Sequence, residues 1–427
     1  MGSSGRADLP PIATEVEHEV LERFLRYVRI DTQSDLLSTT YPSTAKQREL
    51  GELLARELQA LGLADAAIDE HGYVFATLPG TRGPTVGLIA HVDTSPDESG
   101  ANVSPQVVRD YDGGQILLST SKREVLSPAE SALLAERVGH DIVTTDGTTL
   151  LGADDKAGVA EIMAAVAYLV RHPEIEHAPI RMAFTVDEEI GKGVEHFDIP
   201  GFGAEFAYTL DGSDVGQIED ETFSASEVRV RIEGHSVHPG TSKRKMVNSI
   251  KLAAALLERL PKDRLSPETT EAREGFVHPV RIAGGTAETT VTFIARDFDG
   301  AKLKQHEALL RELADELVRD EPRARVTVEV EESYRNMKEF LQSRPRIVEA
   351  AEEAARRVGL EPWRNAARGG TDGAMLSARG LLTPNIFTGG QEYHSVREWI
   401  SVQDMALSTA AIVELVKLWS EPDWAGS

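Results

Sequence analysis

His91, Asp154, Glu189, Asp211 and His394 give the chain two imidazoles and three carboxylates, most of them where an apolar or glycine-led stretch stops. His91 closes the run Leu88-Ile89-Ala90 and is followed two residues later by Asp93. Asp154 stands in Gly152-Ala153-Asp154-Asp155-Lys156, Glu189 in Asp187-Glu188-Glu189, Asp211 in Leu210-Asp211-Gly212, and His394 in Tyr393-His394-Ser395. Singly each signal is weak, because an acid ending a strand is more often a turn residue or helix cap. Jointly they suit two zinc ions sharing one carboxylate, each ion with one histidine and one private acid. That arrangement leaves a place for a bridging water, acidified until hydroxide forms near neutrality. No serine or cysteine nucleophile is then required.

Two neighbouring acids have roles that follow from direction. On a strand-like path the Asp93 carboxylate meets the ring N–H of His91 that faces away from a metal, fixing tautomer and basicity. Adjacent residues of an extended segment point opposite ways, so Glu189 binds metal while Glu188 faces the substrate and shuttles a proton from water to the leaving amine. The plainer reading of Glu188 is a solvated acid in an acidic loop.

Composition narrows the chemistry further. The 427 residues contain no cysteine, which excludes disulfides and thiolate ligands and leaves nitrogen and oxygen donors, accepted by zinc, cobalt and manganese alike. A net charge of -25 disfavours a nucleic-acid partner and favours a small substrate. No apolar run of about eighteen residues suggests a membrane span. The opening Met1-Gly2-Ser3-Ser4-Gly5 resembles an appended leader rather than a secretory signal, so residues 1–12 are expected to lie outside the fold and the protein to be soluble and cytoplasmic.

The positioning elements follow from periodicity. Glu15 to Val28 and Lys46 to Leu61 show helical spacing, and Gly72 to Leu78 reads as a strand before the one ending at His91. Pro96 to Leu150 reads as an irregular excursion with a short helix near Ala129 to Arg137. A helix from Ala157 to Val170 and a strand from Ile180 to Val186 resume the alternation of a mostly parallel, mixed α/β sheet. Beyond Asp220 the order becomes βαββαβ, the plan of an inserted α+β ferredoxin-like domain. The expected division is 1–220 and 336–427 for the catalytic domain, with 221–335 as a lid. Thr289 to Ala295 reads as an exposed edge strand on which two copies could pair into a homodimer.

Ala90-His91-Val92-Asp93-Thr94, Leu151-Gly152-Ala153-Asp154-Asp155-Lys156-Ala157-Gly158, Asp187-Glu188-Glu189-Ile190-Gly191, Gly234-His235-Ser236-Val237-His238-Pro239-Gly240 and Gly389-Gly390-Gln391-Glu392-Tyr393-His394 resemble the motifs of the dinuclear zinc aminoacylase/carboxypeptidase superfamily. The similarity spans nearly the whole chain and is greatest to its cytoplasmic tripeptide aminopeptidases. It implies that His91 and Asp211 serve one zinc, Glu189 and His394 the other, that Asp154 bridges, and that Asp93 and Glu188 are the catalytic pair. It also implies a cis peptide at Asp154-Asp155, a lid histidine, His238, that steadies the oxyanion, and a small peptide as substrate. Without the resemblance His238 reads as a solvated turn residue. Arg368, beside Gly369-Gly370, has the planar fork to hold a peptide carboxylate, against which stands a structural salt bridge to Asp372 or another acid. Rival functions are a dipeptidase, carboxypeptidase or N-acyl amino-acid hydrolase on the same scaffold, and a peptide-binding protein without turnover. Glu188, which a mere binder could lose, separates the last from the rest.

Overall fold

The apolar run before His91 becomes the strand Val86–His91, buried along its whole length because parallel neighbours flank it on both sides. In a computed structural model, which describes residues 9–120 and 123–425, this strand lies in an eight-stranded sheet. The order is Ala67–Ile68, Val74–Leu78, Ile180–Thr185, Val86–His91, Phe206–Gly212, Asn385–Phe387, Gln217–Thr222, Trp363–Ala367. Its centre is parallel, and Val74–Leu78 and Gln217–Thr222 pair antiparallel. The fold is thus mixed α/β, as the alternation of elements implied. Helices Pro11–Tyr27, Ala153–Arg171 and Val402–Leu418 pack together, with Val16, Val20, Phe24, Ile162, Val166, Ile412 and Leu415 among their buried residues.

The chain divides into two compact units. One runs to Asp220 and resumes at Phe340–Asn365 and from Thr371; the other comprises Glu221–Glu339 and Ala366–Gly370. The second unit therefore extends past residue 335 and takes in a short piece of chain from far downstream. Its sheet has the order Phe276–Gly284, Glu288–Asp297, Ser224–Glu233, Arg325–Tyr334, all antiparallel, with helices Ser249–Glu258 and Gly300–Asp320 supplying Leu256, Leu310 and Leu317 to a core around Val230, Val291 and Phe293. Phe293→Ala should destabilise this unit by about 3–5 kcal/mol through lost burial and the cavity left behind, read as a lower urea midpoint.

Three expectations need correction. Thr289 to Ala295 lies in Glu288–Asp297, an inner strand; the edges are Phe276–Gly284 and Arg325–Tyr334, since the third strand of a βαββαβ plan is inserted between the first and second. The stretch from Pro96 to Leu150 is not simply irregular. Gln106–Val108 and Ile142–Thr144 join Trp399–Ser401 and Gly390–Gln391 in a small four-stranded sheet, and the helix there is only Ala132–Ala135. The leader expectation lies outside the described residues for positions 1–8, and fails for Pro11 and Ile12, which already belong to the first helix. Among the described residues no helix is long and apolar enough to cross a membrane.

Candidate metal centre

Five separate segments bring the predicted donors together. His91, 2% exposed, ends its strand. Asp154 sits in non-helical backbone just before the regular part of helix Ala153–Arg171, after a left-handed Gly152 and on the cis peptide to Asp155. That helix can lie directly on strand Phe206–Gly212 only because residue 158 is glycine: a Cβ there would overlap the Leu210 carbonyl oxygen. The close approach sets Asp154 beside Asp211, whose own N–H donates to Asn385 Oδ1 at 3.0 Å.

The two oxygens of Asp154 face different imidazoles. Oδ1 lies 2.9 Å from His91 Nε2, and Oδ2 lies 3.3 Å from His394 Nε2. Asp211 Oδ1 is 3.7 Å from His91 Nε2, while Glu189 Oε2 is 2.9 Å from His394 Nε2. One shared carboxylate and two private ones are thus arrayed around two rings. Asp155 also comes near His91 and Asp211; its Oδ2 accepts the His91 backbone N–H at 3.0 Å, while its Oδ1 is buried with no hydrogen-bond partner among the described residues.

Glu188 and Glu189 are aimed by a turn rather than by strand alternation. Asp187 adopts φ 58, and Glu188–Ile190 form a 3-10 turn. Asp187 is held by Ser43 Oγ, by the Ser43 N–H at 2.5 Å and by Gln47 Nε2 at 2.6 Å. Glu188 Oε2 consequently lies 3.9 Å from His91 Nε2. Asp93, fully buried, receives the backbone N–H of Glu188 at 3.0 Å and of Glu189 at 3.2 Å. Its Oδ1 is 3.3 Å from His91 Nδ1, whose nearer partner is the Asp93 carbonyl oxygen at 3.1 Å. Asp93 therefore sets the His91 ring and the acidic turn at once.

Electrostatics show what the donors lack without a cation. Burial would lower His91, but Asp154, Asp211 and Asp93 raise its pKa well above the ordinary range. Hydrogen bonds to Asp154 and Glu189 push His394 up to about 11. Burial, with Asp154 alongside, pushes Glu189 up to about 8 and Asp211 to about 7. Burial opposes the charge on Asp154, yet the two imidazoles hold its carboxyl well below the usual range. Glu189 Oε1 is buried and has no hydrogen-bond partner among the described residues. Nitrogen and oxygen donors crowded in this way, with carboxylate oxygens of Glu189 and Asp155 orphaned, fit divalent cations, which would replace the shared protons. Cation uptake should therefore release protons, and affinity should weaken as pH falls and protons reclaim the ligands; calorimetry in buffers of differing ionisation enthalpy measures both.

The match to a family model settles what kind of protein carries this site. Residues 144–418 match Peptidase family M20/M25/M40. The chain belongs to that family. Similar M20 relatives include Peptidase T of Bacillus subtilis (strain 168), 47% identical over 405 residues, covering 94% of this chain and 98% of the relative. Peptidase T of Geobacillus sp. (strain WCH70) is 46% identical over 409 residues, 95% of this chain and 100% of the relative. In fold the chain is similar to the aminopeptidase PepT of Bacillus cereus ATCC 10987, with TM-score 0.72 and 24% identity over 95% of this chain and 99% of that one. It is likewise similar to the YXEP protein of Bacillus subtilis, described as a dinuclear metal binding peptidase from the M20 family, with TM-score 0.65 and 14% identity over 95% and 99%.

The remaining sequence candidates belong to the second unit. His238 is exposed, and its Nδ1 accepts the Gly240 N–H at 3.1 Å, so a neutral ring carries its proton on Nε2. Among the described residues Arg368 makes no salt bridge, and it offers no open fork. Its Nη1 donates to Ala272 O at 2.8 Å and Glu274 O at 3.0 Å, its Nη2 to Thr270 Oγ1 at 3.1 Å, and the guanidinium lies over the Phe223 ring. The alternative pairing with Asp372 is not formed; Asp372 is instead bonded by Thr185 Oγ1 at 2.7 Å. Sequence reading missed Asp97, whose Oδ2 lies 3.3 Å from His394 Nδ1, and the Ser43–Gln47 support of Asp187. An Asp three residues after Thr94 in a proline-containing loop carries no periodic signal.

Proposed function

We propose that this M20 peptidase is a two-metal aminopeptidase that removes the N-terminal residue from tripeptides in the cytoplasm. The observation that carries the reading is Asp154, one carboxylate with an oxygen turned to each of two imidazoles; the names of the relatives support the substrate class. His91, Asp211 and Asp154 are assigned to one cation and His394, Glu189 and Asp154 to the other, zinc being the expected metal and cobalt or manganese substitutes. When bound, such cations supply Lewis acidity that acidifies water and polarises the scissile carbonyl.

The chain's own groups then carry the protons. Glu188 is pushed well above the ordinary carboxylate range by burial, with Asp211 and other acids adding to it. From its place beside the ligands, with Oε2 3.9 Å from His91 Nε2, Glu188 is assigned the carboxylate that takes a proton from water and gives it to the leaving amine. Asp93 holds the Glu188 and Glu189 amides together, which keeps the shuttle in register with the ligand next to it. His238, with Nε2–H free to donate, is assigned the steadying of the substrate oxyanion. His238→Ala should lower kcat by ~10²–10³, as loss of an oxyanion donor does elsewhere, with metal content unchanged.

Hydrolysis of an unblocked di-, tri- and tetrapeptide series tests the substrate. The tripeptide should have the highest kcat/KM, with the N-terminal residue as product. A dipeptide or N-acylated compound turned over faster would move the protein to another branch of the family. A homodimer through the second unit belongs to the same reading, with edge strand Phe276–Gly284, which leaves Val280 44% and Ile282 53% exposed, as the surface offered. Light scattering should return twice the chain mass, and a monomeric mass removes the dimer.

A further inference from the structure

Glu398 is 1% exposed and takes no part in ligation or proton transfer, yet its carboxylate faces the segment that carries Asp154. Oε2 accepts the N–H groups of Leu151 and Gly152, each at 2.7 Å, and Oε1 accepts the Asp154 N–H at 3.0 Å. These donors straddle the start of helix Ala153–Arg171, in the stretch where no i−4 carbonyl serves an N–H. Gly152 is left-handed and Asp154 non-helical, so the helix ladder does not define their positions. One buried carboxyl group gathers three of them. An amide of the same shape would offer a single acceptor and turn its own N–H₂ toward N–H groups.

Glu398 also lies four residues beyond His394, just before strand Trp399–Ser401, whose partners are Gly390–Gln391 and Ile142–Thr144. The same side chain thus ties the segment bearing the shared carboxylate to the segment bearing the second imidazole. Asp154 has an oxygen on each ring, so a shift of its backbone disturbs both halves of the site together. We propose that Glu398 is a positioning residue that fixes Asp154 so that both cation sites form at once. This inference rests on the two-cation reading above.

The test is titration of metal-free wild type, Glu398→Gln and Glu398→Asp with Co²⁺, followed by calorimetry and visible absorption, alongside the melting temperature of each metal-free protein. The expected order of affinity is wild type, then Asp, then Gln. Gln should weaken both sites in parallel by about 10–100-fold, the usual cost of losing a ligand's support, with the metal-free melting temperature within a few degrees of wild type. Parallel weakening in a folded protein is what a merely structural glutamate would not produce. If Gln does not fold, Asp decides. Wild-type affinity in every variant that folds, or weakening confined to one site, overturns the proposal. A wild type that takes up fewer than two Co²⁺ brings down the two-cation reading instead, which keeps the two failures distinct.

Discussion

Glu188→Ala is expected to bind two cations as wild type does and to lose kcat by ~10²–10⁴, the span that general acid–base catalysis contributes. The separation follows from placement. Glu188 Oε2 stands 3.9 Å from His91 Nε2, farther than the Asp154 oxygen at 2.9 Å, and the Glu189 side chain rather than Glu188 meets His394. Removing Glu188 strips the proton carrier and leaves each ligand in place. Glu188→Gln, which keeps the shape but cannot take a proton, should fall as far as Ala, whereas Glu188→Asp should recover part of the rate. Metal analysis beside steady-state kinetics on a free tripeptide gives the result. A Gln variant with near-wild-type kcat would remove the shuttle role.

Asp154→Ala is the second large effect, and unlike Glu188→Ala it acts on metal content. Substituting Asp211 or Glu189 removes a donor from one imidazole's partners; substituting Asp154 removes one from both, because its two oxygens are divided between His91 and His394. We expect Asp154→Ala to lose tight binding of both cations and hydrolysis with them. Asp211→Ala should keep one tight site. The metal-free Asp154→Ala protein should also free His91 and His394 from the carboxylate that raises them, so both imidazoles should titrate lower, readable by NMR. Retention of two tightly bound cations would show that Asp154 is not the bridge.

The sequence carried much of this architecture because the centre of the sheet is buried on both faces. Such strands read as unbroken apolar runs, so a histidine where the run Leu88-Ile89-Ala90 stops is conspicuous. The ligands in the other segments were legible for a similar reason, each standing at a change of pattern. Direction was less legible. Glu188 and Glu189 diverge on a 3-10 turn set by left-handed Asp187 and its bonds to Ser43 and Gln47, contacts about 140 residues apart in the chain. The small sheet beside His394 escaped because its strands are two or three residues long, too short for alternation to register, and its central pairing, Trp399–Ser401 with Ile142–Thr144, spans some 250 residues. The surroundings of Arg368 were not legible either, since the main-chain carbonyls of Ala272 and Glu274 that accept from its guanidinium lie more than ninety residues away in the chain.

Helix Pro11–Tyr27 packs against Val402–Leu418, close to four hundred residues later, and His394 lies only a few residues before that second helix. During synthesis the first helix meets Ala153–Arg171 early, but the part of its apolar face that packs on Val402–Leu418 stays uncovered until that late helix is made. Chains cut short before Val402 leave that part exposed, and those stopped before residue 394 lack the second imidazole as well. Such products invite aggregation or clearance. In a cell full of peptide bonds, hydrolytic power then arrives only with the finished molecule.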